Sequence, residues 1–324
     1  MTTSLCAKRP PDYLPVRVAS IPADHDFDQS LYLPNSTTGK FLLYRDAGAE
    51  LKPSDLKRMV DAGITTVYLD AADYGRFQEK LRTSLDSIVS DERLPVAQRF
   101  GVVNEVVRGV LREAFRRGNV DRTVKQTSEM AEHVVDLVCR DDQVVSELNS
   151  VLHFDYSTFT HSANVAYYTV MLAHALGHTD RAVLRRIGTG ALLHDIGKVR
   201  IPETILLKPG RLTPEERNVL RGHPAQGLIS LREQDQLEFG QLMMVYQHHE
   251  RIDGSGYPVR IAGSEIHEWA RICAVADVFE ALTSDRPYRR SLSSAAAFEV
   301  IEQGEGSGLE PEFLQCWKMT ISRS

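Results

Sequence analysis

Five of the eleven histidines (His161, His194, His223, His248 and His249) and two aspartates (Asp195 and Asp277) have the side-chain types and the company that metal chemistry asks for. Imidazole nitrogen with carboxylate oxygen suits iron, manganese or zinc, and a carboxylate can bridge two ions. Any one of these histidines alone is more often a satisfied core or surface residue. What changes the balance is context. His194 and Asp195 close the apolar segment Gly190-Ala-Leu-Leu just before Ile196-Gly197, and Asp277 is enclosed by Cys273-Ala-Val-Ala and Val278-Phe279. A buried carboxylate needs a partner. For either aspartate alone an internal hydrogen bond or ion pair is the commoner partner, whereas two such carboxylates with five histidines favour metal. The four cysteines, Cys6, Cys139, Cys273 and Cys316, lie in no metal-ligand or redox spacing. A thiolate zinc site is therefore excluded, and reduced thiols in a cytoplasm are expected.

His174 and His178 have the four-residue spacing of a helical ligand pair. His174, however, is thirteen residues beyond His161, which at about 100° per residue turns it to the opposite side of one helix, so the pair is expected on an outer face. Two further segments could meet a ligand. Glu250-Arg-Ile-Asp-Gly-Ser-Gly-Tyr-Pro258 combines two glycines, Tyr257 and a proline in a tight loop with free backbone N–H groups, although a turn without function uses the same residues. Asp285-Arg-Pro-Tyr-Arg-Arg290 sets three guanidinium groups around an aromatic ring, a pattern that suits phosphate and a base or simply a solvated basic turn.

The elements that must position these groups are mostly helices. From Asp155 onward, helices are joined by Gly- and Pro-marked turns, with no strand–helix alternation to support a doubly wound nucleotide fold. Thr213-Pro-Glu-Glu216 is a capping box that starts a helix, and Gly177 and Gly197 are expected helix stops. Earlier, Pro95 opens a helix with Val103, Val106, Val107, Val110, Ala114 and Phe115 on one face, broken at Gly118-Asn119, and a second helix starts near Arg122. That stripe reads either as core or as the seam of a homodimer through these connecting helices. Residues 15–92 mix β-rich runs (Val16–Ile21, Lys40–Arg45, Thr65–Leu69) with one helix opened by Pro53-Ser54 and closed near Gly63, which predicts a small α+β domain. The expected organisation is 1–92 as a small α+β domain, 93–150 as connecting helices and 151–324 as an all-helical domain.

Composition narrows the classes. With 324 residues, 42% hydrophobic and 25% charged, the chain is an ordinary globular protein, and its formal net charge of −6 gives no footprint for a nucleic-acid polymer or an anionic membrane. The longest uncharged run, Tyr156–Thr179, holds three histidines, so it predicts a buried helix rather than a membrane span. No secretory leader is legible at the start, and a cytoplasmic location is expected.

Taken together, His194-Asp-Ile-Gly-Lys198, His248-His-Glu-Arg-Ile-Asp-Gly-Ser-Gly-Tyr-Pro258 and Asp285-Arg-Pro-Tyr-Arg289 resemble the HD-GYP family of bacterial cyclic di-GMP phosphodiesterases, a branch of the HD metal-dependent phosphohydrolases. The resemblance covers about residues 153–292. It implies a mainly α, all-helical domain around two divalent metal ions, iron or manganese before zinc. It implies His161, His194, Asp195 and Asp277 as ligands of one ion and His223, His248 and His249 as ligands of the second, with Asp195 bridging. Lys198 is implied as the catalytic lysine, Arg286 and Arg289 as substrate-phosphate contacts, and Gly256 and Tyr257 as a loop for recognition and for docking a signalling partner. Some members carry a glutamate four residues before the first histidine and assemble three metals. Ser157 stands there in this chain, so two are expected. The N-terminal segment is similar to a small domain that precedes other HD-GYP domains. The implied reaction hydrolyses cyclic di-GMP to linear pGpG, with pGpG or, after a second cleavage, GMP as the final product. The alternatives are another cyclic dinucleotide such as cyclic GMP-AMP, a cyclic di-GMP sensor without hydrolysis, and a generic HD nucleotidase, for which the Gly-Tyr-Pro loop has no use.

Overall fold

A computed structural model describes residues 13–22, 27–35, 37–117, 119–140, 158–208, 210–285, 290–305 and 308–322. The chain divides into two compact units, Met1–Val106 and Val107–Ser324.

The first unit is built on a four-stranded antiparallel sheet: β1 (Tyr13–Arg17), β2 (Leu31–Pro34), β3 (Phe41–Arg45) and β4 (Thr66–Asp70), in the order β1-β4-β2-β3. Val16 pairs with Val67 and Leu14 with Leu69, so the alternation of these strands turns Val16, Val67 and Leu69 into the core. Helix α1 (Pro53–Asp61) starts at its proline as expected. Two elements were not expected. Helix α2 (Ala71–Ser90) follows β4 directly, with Asp70 accepting the Ala72 and Asp73 N–H groups at 2.9 and 2.8 Å, and it buries Tyr74, Phe77, Leu81, Leu85 and Ile88. Strand β2 is a four-residue piece ending in proline, too short for its alternation to register. The run from Val16 is strand only to Arg17, after which Val18–Ser20 tightens into a 3-10 turn.

Helix α3 (Val96–Arg117) carries the valine stripe, and Val103, Val106, Val107 and Val110 are buried within the single chain. The side chain of Phe115 and residue 118 lie outside the described residues. The second unit is helical: α4 (Val120–Arg140), α5 (Thr158–Ala175), α6 (Arg181–Leu193), the single turn α7 (Glu203–Leu206), α8 (Pro214–Leu220), α9 (His223–Leu231), α10 (Phe239–Gln247), α11 (Glu268–Thr283), α12 (Ser294–Val300) and α13 (Pro311–Ser322). The expected mainly α architecture with a small α+β N-terminal part is therefore what the chain adopts. Thr213 caps α8 with Pro214 at its first position, as expected.

Tyr168 of α5, Phe279 of α11 and Trp317 of α13 pack edge to face, with centroids 5.3 to 5.4 Å apart, and lock these three helices together. Tyr168 lies two turns after His161, and Phe279 sits beside Glu280, so the aromatic trio sets how α5 meets α11 at the site. Helix α5 is the uncharged run, buried as expected. Among the described residues no helix is long and apolar enough to cross a membrane, and Cys139, Cys273 and Cys316 are free.

Candidate metal centre

The groups that converge come mostly from helix ends. His194 is the C-terminal cap of α6, with Asp195 next, His223 opens α9, and His248 caps α10, followed by His249. His161 lies in the first turn of α5, and Asp277 sits within α11. Helix termini leave carbonyls without intrahelical partners. The same device uses them three times: the Nδ1–H groups of His194, His223 and His248 each donate to the carbonyl three residues earlier, Ala191, Leu220 and Val245, at 2.7, 2.8 and 3.0 Å. A carbonyl only accepts, so each ring is fixed in one tautomer with the Nε2 lone pair turned inward.

His161 is held differently. Its Nδ1 lies 2.5 Å from Glu280 Oε2, while the other oxygen of Glu280 accepts from Asn164 at 3.0 Å and from Ser284 at 2.6 Å. Its Nε2 then faces Asp277 Oδ1 at 3.1 Å and Asp195 Oδ2 at 3.6 Å.

Asp195, 1% exposed, is the hinge of the arrangement. Oδ2 lies 3.4 Å from His194 Nε2 and faces the His161 side, whereas Oδ1 lies 3.2 Å from His223 Nε2 and 4.0 Å from His248 Nε2. Donor atoms of His161, His194 and Asp195 form one compact group and those of His223, His248 and His249 another. Asp277 also spans both sides, its Oδ2 lying 3.8 Å from His249 Nδ1. All seven side chains singled out in the sequence are thus together. Lys198 joins them, with Nζ 2.5 Å from Asp195 Oδ2 and the side chain 16% exposed.

The donor set fits cations. His223 Nε2 and His248 Nε2 are 3.2 Å apart, both bearing lone pairs, so no proton between neutral rings satisfies them. Buried His194 Nε2 and Asp195 Oδ1 have no hydrogen-bond partner, a cost of about 1–3 kcal/mol each if left so. Burial, and then the neighbouring histidines, hold His248 and His249 well below the ordinary imidazole range, which keeps them neutral and able to ligate. Burial alone would raise Asp195 and Asp277, yet Lys198 and His194 hold the first well below the carboxylate range, and His161 does the same for the second. Burial opposes charge on His161 too, but Glu280 and Asp277 outweigh it and lift its pKa well above the ordinary value. That site asks for positive charge whichever cation supplies it.

Gly197 is not the helix stop expected of it. Helix α6 ends at Leu193, and Gly197 sits inside the 3-10 turn Ile196–Arg200. A Cβ there would lie 1.9 Å from the His223 carbonyl oxygen and 2.6 Å from the Gly227 nitrogen, so the missing side chain lets this turn press on α9 and brings His223 to Asp195. In the loop after His249, a Cβ on Gly256 would meet Glu250 Cα and the Arg251 nitrogen at 2.5 Å. This glycine answers to backbone crowding. Tyr257 stacks on His249 with centroids 4.6 Å apart and planes 25° apart, and the Arg221 guanidinium lies over its ring at 5.3 Å. His174 is exposed, and His178 faces Glu268 at 3.6 Å, away from the cluster. Arg286, Arg289 and Ser157 lie outside the described residues.

Four participants escaped the sequence reading. Glu280 lies three residues after Asp277 on the same helix and is enclosed by apolar neighbours just as Asp277 is, a signal that was present. Asn164 has the same spacing from His161. Buried Glu250 accepts the Val259 N–H at 2.6 Å and the Arg260 N–H at 3.1 Å and so folds the loop shut. Arg221, two residues before His223, carried no distinguishing signal.

Comparison with known proteins agrees with this geometry. The profile of the HD domain matches residues 121–312, more than half of the chain. A cyclic di-GMP phosphodiesterase of Pseudomonas aeruginosa is 30% identical over 266 residues, covering 78% of this chain and 64% of the relative. A 3'3'-cGAMP-specific phosphodiesterase of Vibrio cholerae is 44% identical over 154 residues, covering 47% of this chain and 35% of the relative. The chain spans less than two thirds of the length of either. A solved HDG"Y"P protein from Bdellovibrio bacteriovorus shares the fold, with a TM-score of 0.69 at 20% identity, over 96% of this chain and 99% of that one. A histidine–aspartate cluster set at helix ends, a matching profile and a shared fold lead to one conclusion: this chain is a member of the HD-domain family.

Proposed function

We propose that the chain is a metal-dependent phosphodiesterase that hydrolyses cyclic di-GMP to linear pGpG, with pGpG or, after a second cleavage, GMP as the final product. The observation that carries this reading is Asp195, whose two oxygens turn to two different groups of histidines. His161, His194, Asp195 and Asp277 would hold one divalent ion and His223, His248 and His249 a second, with Asp195 shared. Imidazole and carboxylate donors accept iron, manganese or zinc, and the family resemblance favours the first two. When bound, such a pair supplies Lewis acidity for a phosphoryl oxygen and lowers the pKa of water to about 7.

The rest of the work falls to the side chains. Water adds to phosphorus as the P–O3′ bond breaks, and the departing 3′ oxygen takes up the proton that water gives up. Lys198, paired with Asp195 yet reaching the surface, donates a hydrogen bond to the phosphoryl oxygen or to that 3′ oxygen. Arg286 and Arg289 pair with substrate phosphates. Tyr257 fixes the faces of His249 and Arg221, and the closed loop around Gly256 offers a surface for a signalling partner. Residues 1–92 act as the regulatory or interaction part, and the reaction takes place in the cytoplasm.

A second reading concerns the substrate. The Vibrio cholerae relative named for 3'3'-cGAMP is the more similar per residue over its shorter match, so cyclic GMP-AMP is the competing substrate. Protein purified without oxygen and assayed in parallel on both dinucleotides decides. Faster pGpG release from cyclic di-GMP supports the first reading, and faster cleavage of cyclic GMP-AMP replaces it. Binding of either without product from fully metal-loaded protein would make the chain a sensor.

A further inference from the structure

Strand β3 is the open end of its sheet, with β2 its only neighbour among the described residues. Edge strands in natural proteins are usually blunted by charge, proline or shortness, because a bare apolar edge templates pairing with another chain. Here the one charge within the strand, Arg45 at its C-terminal end, is turned inward and buried, bonded to the Phe27 and Gln29 carbonyls, which leaves Phe41 to Tyr44 without a charge on the edge. Phe41 is held against Tyr13 and Tyr68, with centroids 4.5 and 4.8 Å away, but Leu42, Leu43 and Tyr44 are 53%, 55% and 49% exposed. Consecutive residues point to opposite faces, so from Phe41 to Tyr44 apolar side chains stand on both sides, with the register against β2 slipping at Tyr44 just before Arg45. Exposed charges flank it, Lys40 before and Asp46 after, and neither makes an ion pair among the described residues.

We infer that β3 pairs antiparallel with β3 of a second copy of this chain, about a two-fold axis at Leu43. The charges choose both the partner and the direction. Antiparallel pairing centred on Leu43 sets Leu42 opposite Tyr44, and sets Lys40 of each copy opposite Asp46 of the other, so two ion pairs close the two ends of the apolar stretch. A parallel pairing in register would set Lys40 against Lys40. An isologous contact of this kind is self-complementary, as a two-fold dimer requires. The ladder is completed by backbone groups, and the cross-strand side-chain pairs add roughly 0.2–1 kcal/mol each. This dimer differs from one through the α3 stripe.

Sedimentation velocity of the full chain across the micromolar range tests it, with far-UV circular dichroism to confirm that each variant is folded. The expected result is a reversible monomer–dimer equilibrium that Leu43→Lys weakens roughly tenfold or more. Lys40→Asp, at an exposed position, weakens it less, and adding Asp46→Lys restores the dimer by exchanging the charges. A wild-type chain that stays monomeric throughout overturns the proposal and leaves the edge to a different partner. A dimer untouched by Leu43→Lys overturns it by locating self-association elsewhere, and failure of the double charge reversal to restore Lys40→Asp overturns the register.

Discussion

Both units of this molecule bury a carboxylate among polar side chains, and they do it to opposite effect. In the first, Glu105 is 1% exposed and is met by donors: the Tyr74 hydroxyl at 2.9 Å and the Gln78 amide at 3.0 Å. The carboxylate oxygen there faces donors, which is how a buried acceptor is satisfied in a structural network. In the second, Asp195 is equally buried and, among the described residues, takes a proton donor only from Lys198, while the Nε2 atoms of His194, His223 and His248 turn lone pairs, not protons, toward it and toward each other. The difference lies in the tautomers, because the helix-end carbonyls have already taken the protons of His194, His223 and His248. Burial and charge alone do not tell a ligand site from a structural network; the direction of donors does.

The comparison is broken most severely by exchanging one oxygen for an amide in each network. Asp195→Asn should abolish metal retention and lower turnover by roughly a thousandfold or more if, as proposed, Asp195 is shared between two ions. Glu105→Gln should leave metal content and turnover intact and cost about 1–3 kcal/mol in a denaturant melt. Metal analysis and rates on the two variants test the contrast, and full activity in Asp195→Asn would overturn the ligand assignment.

A smaller effect is expected one step out from the cluster. Glu280→Gln keeps the shape of the carboxylate but weakens the bond that orients His161, so metal affinity should fall about 10- to 100-fold, as for other partners of ligating histidines. A chelator competition titration reads this, and unchanged affinity would make Glu280 a mere filler of α11.

The smallest effect is in pH. His248 and His249 are held neutral in the fold, whereas in the unfolded chain they protonate near pH 6.5. Below that pH the unfolded state binds more protons, so the metal-free protein should lose up to about 1.4 kcal/mol per pH unit for each ring. His161 has the opposite shift, and its contribution is already complete below pH 6.5, so it does not offset the loss. Melts from pH 7 to 5.5 test this, with His249→Gln expected to flatten the slope.

The sequence made much of this legible. The seven ligand candidates were identifiable because acids inside apolar helices are rare, and Thr213-Pro214 and Pro53 marked helix starts by local chemistry alone. Glu280 was missed although its surroundings match those of Asp277, because its role is visible only once α5 lies across α11 and brings His161 to it. Gly197 was misread for the same kind of reason: a stop and a close approach both call for glycine, and only the packing of α9 separates them. The long helix α2 had a cap and a regular apolar face in plain view, whereas β2 is too short for its pattern to stand out.

On the proposed reading, lone pairs converging around Asp195 hold two cations. Elemental analysis of protein purified without oxygen, per chain and on the sample assayed for turnover, tests it most directly. The expected result is close to two divalent ions per chain in the wild type and turnover that falls in proportion as they are chelated away. Undiminished hydrolysis by metal-free protein would contradict it.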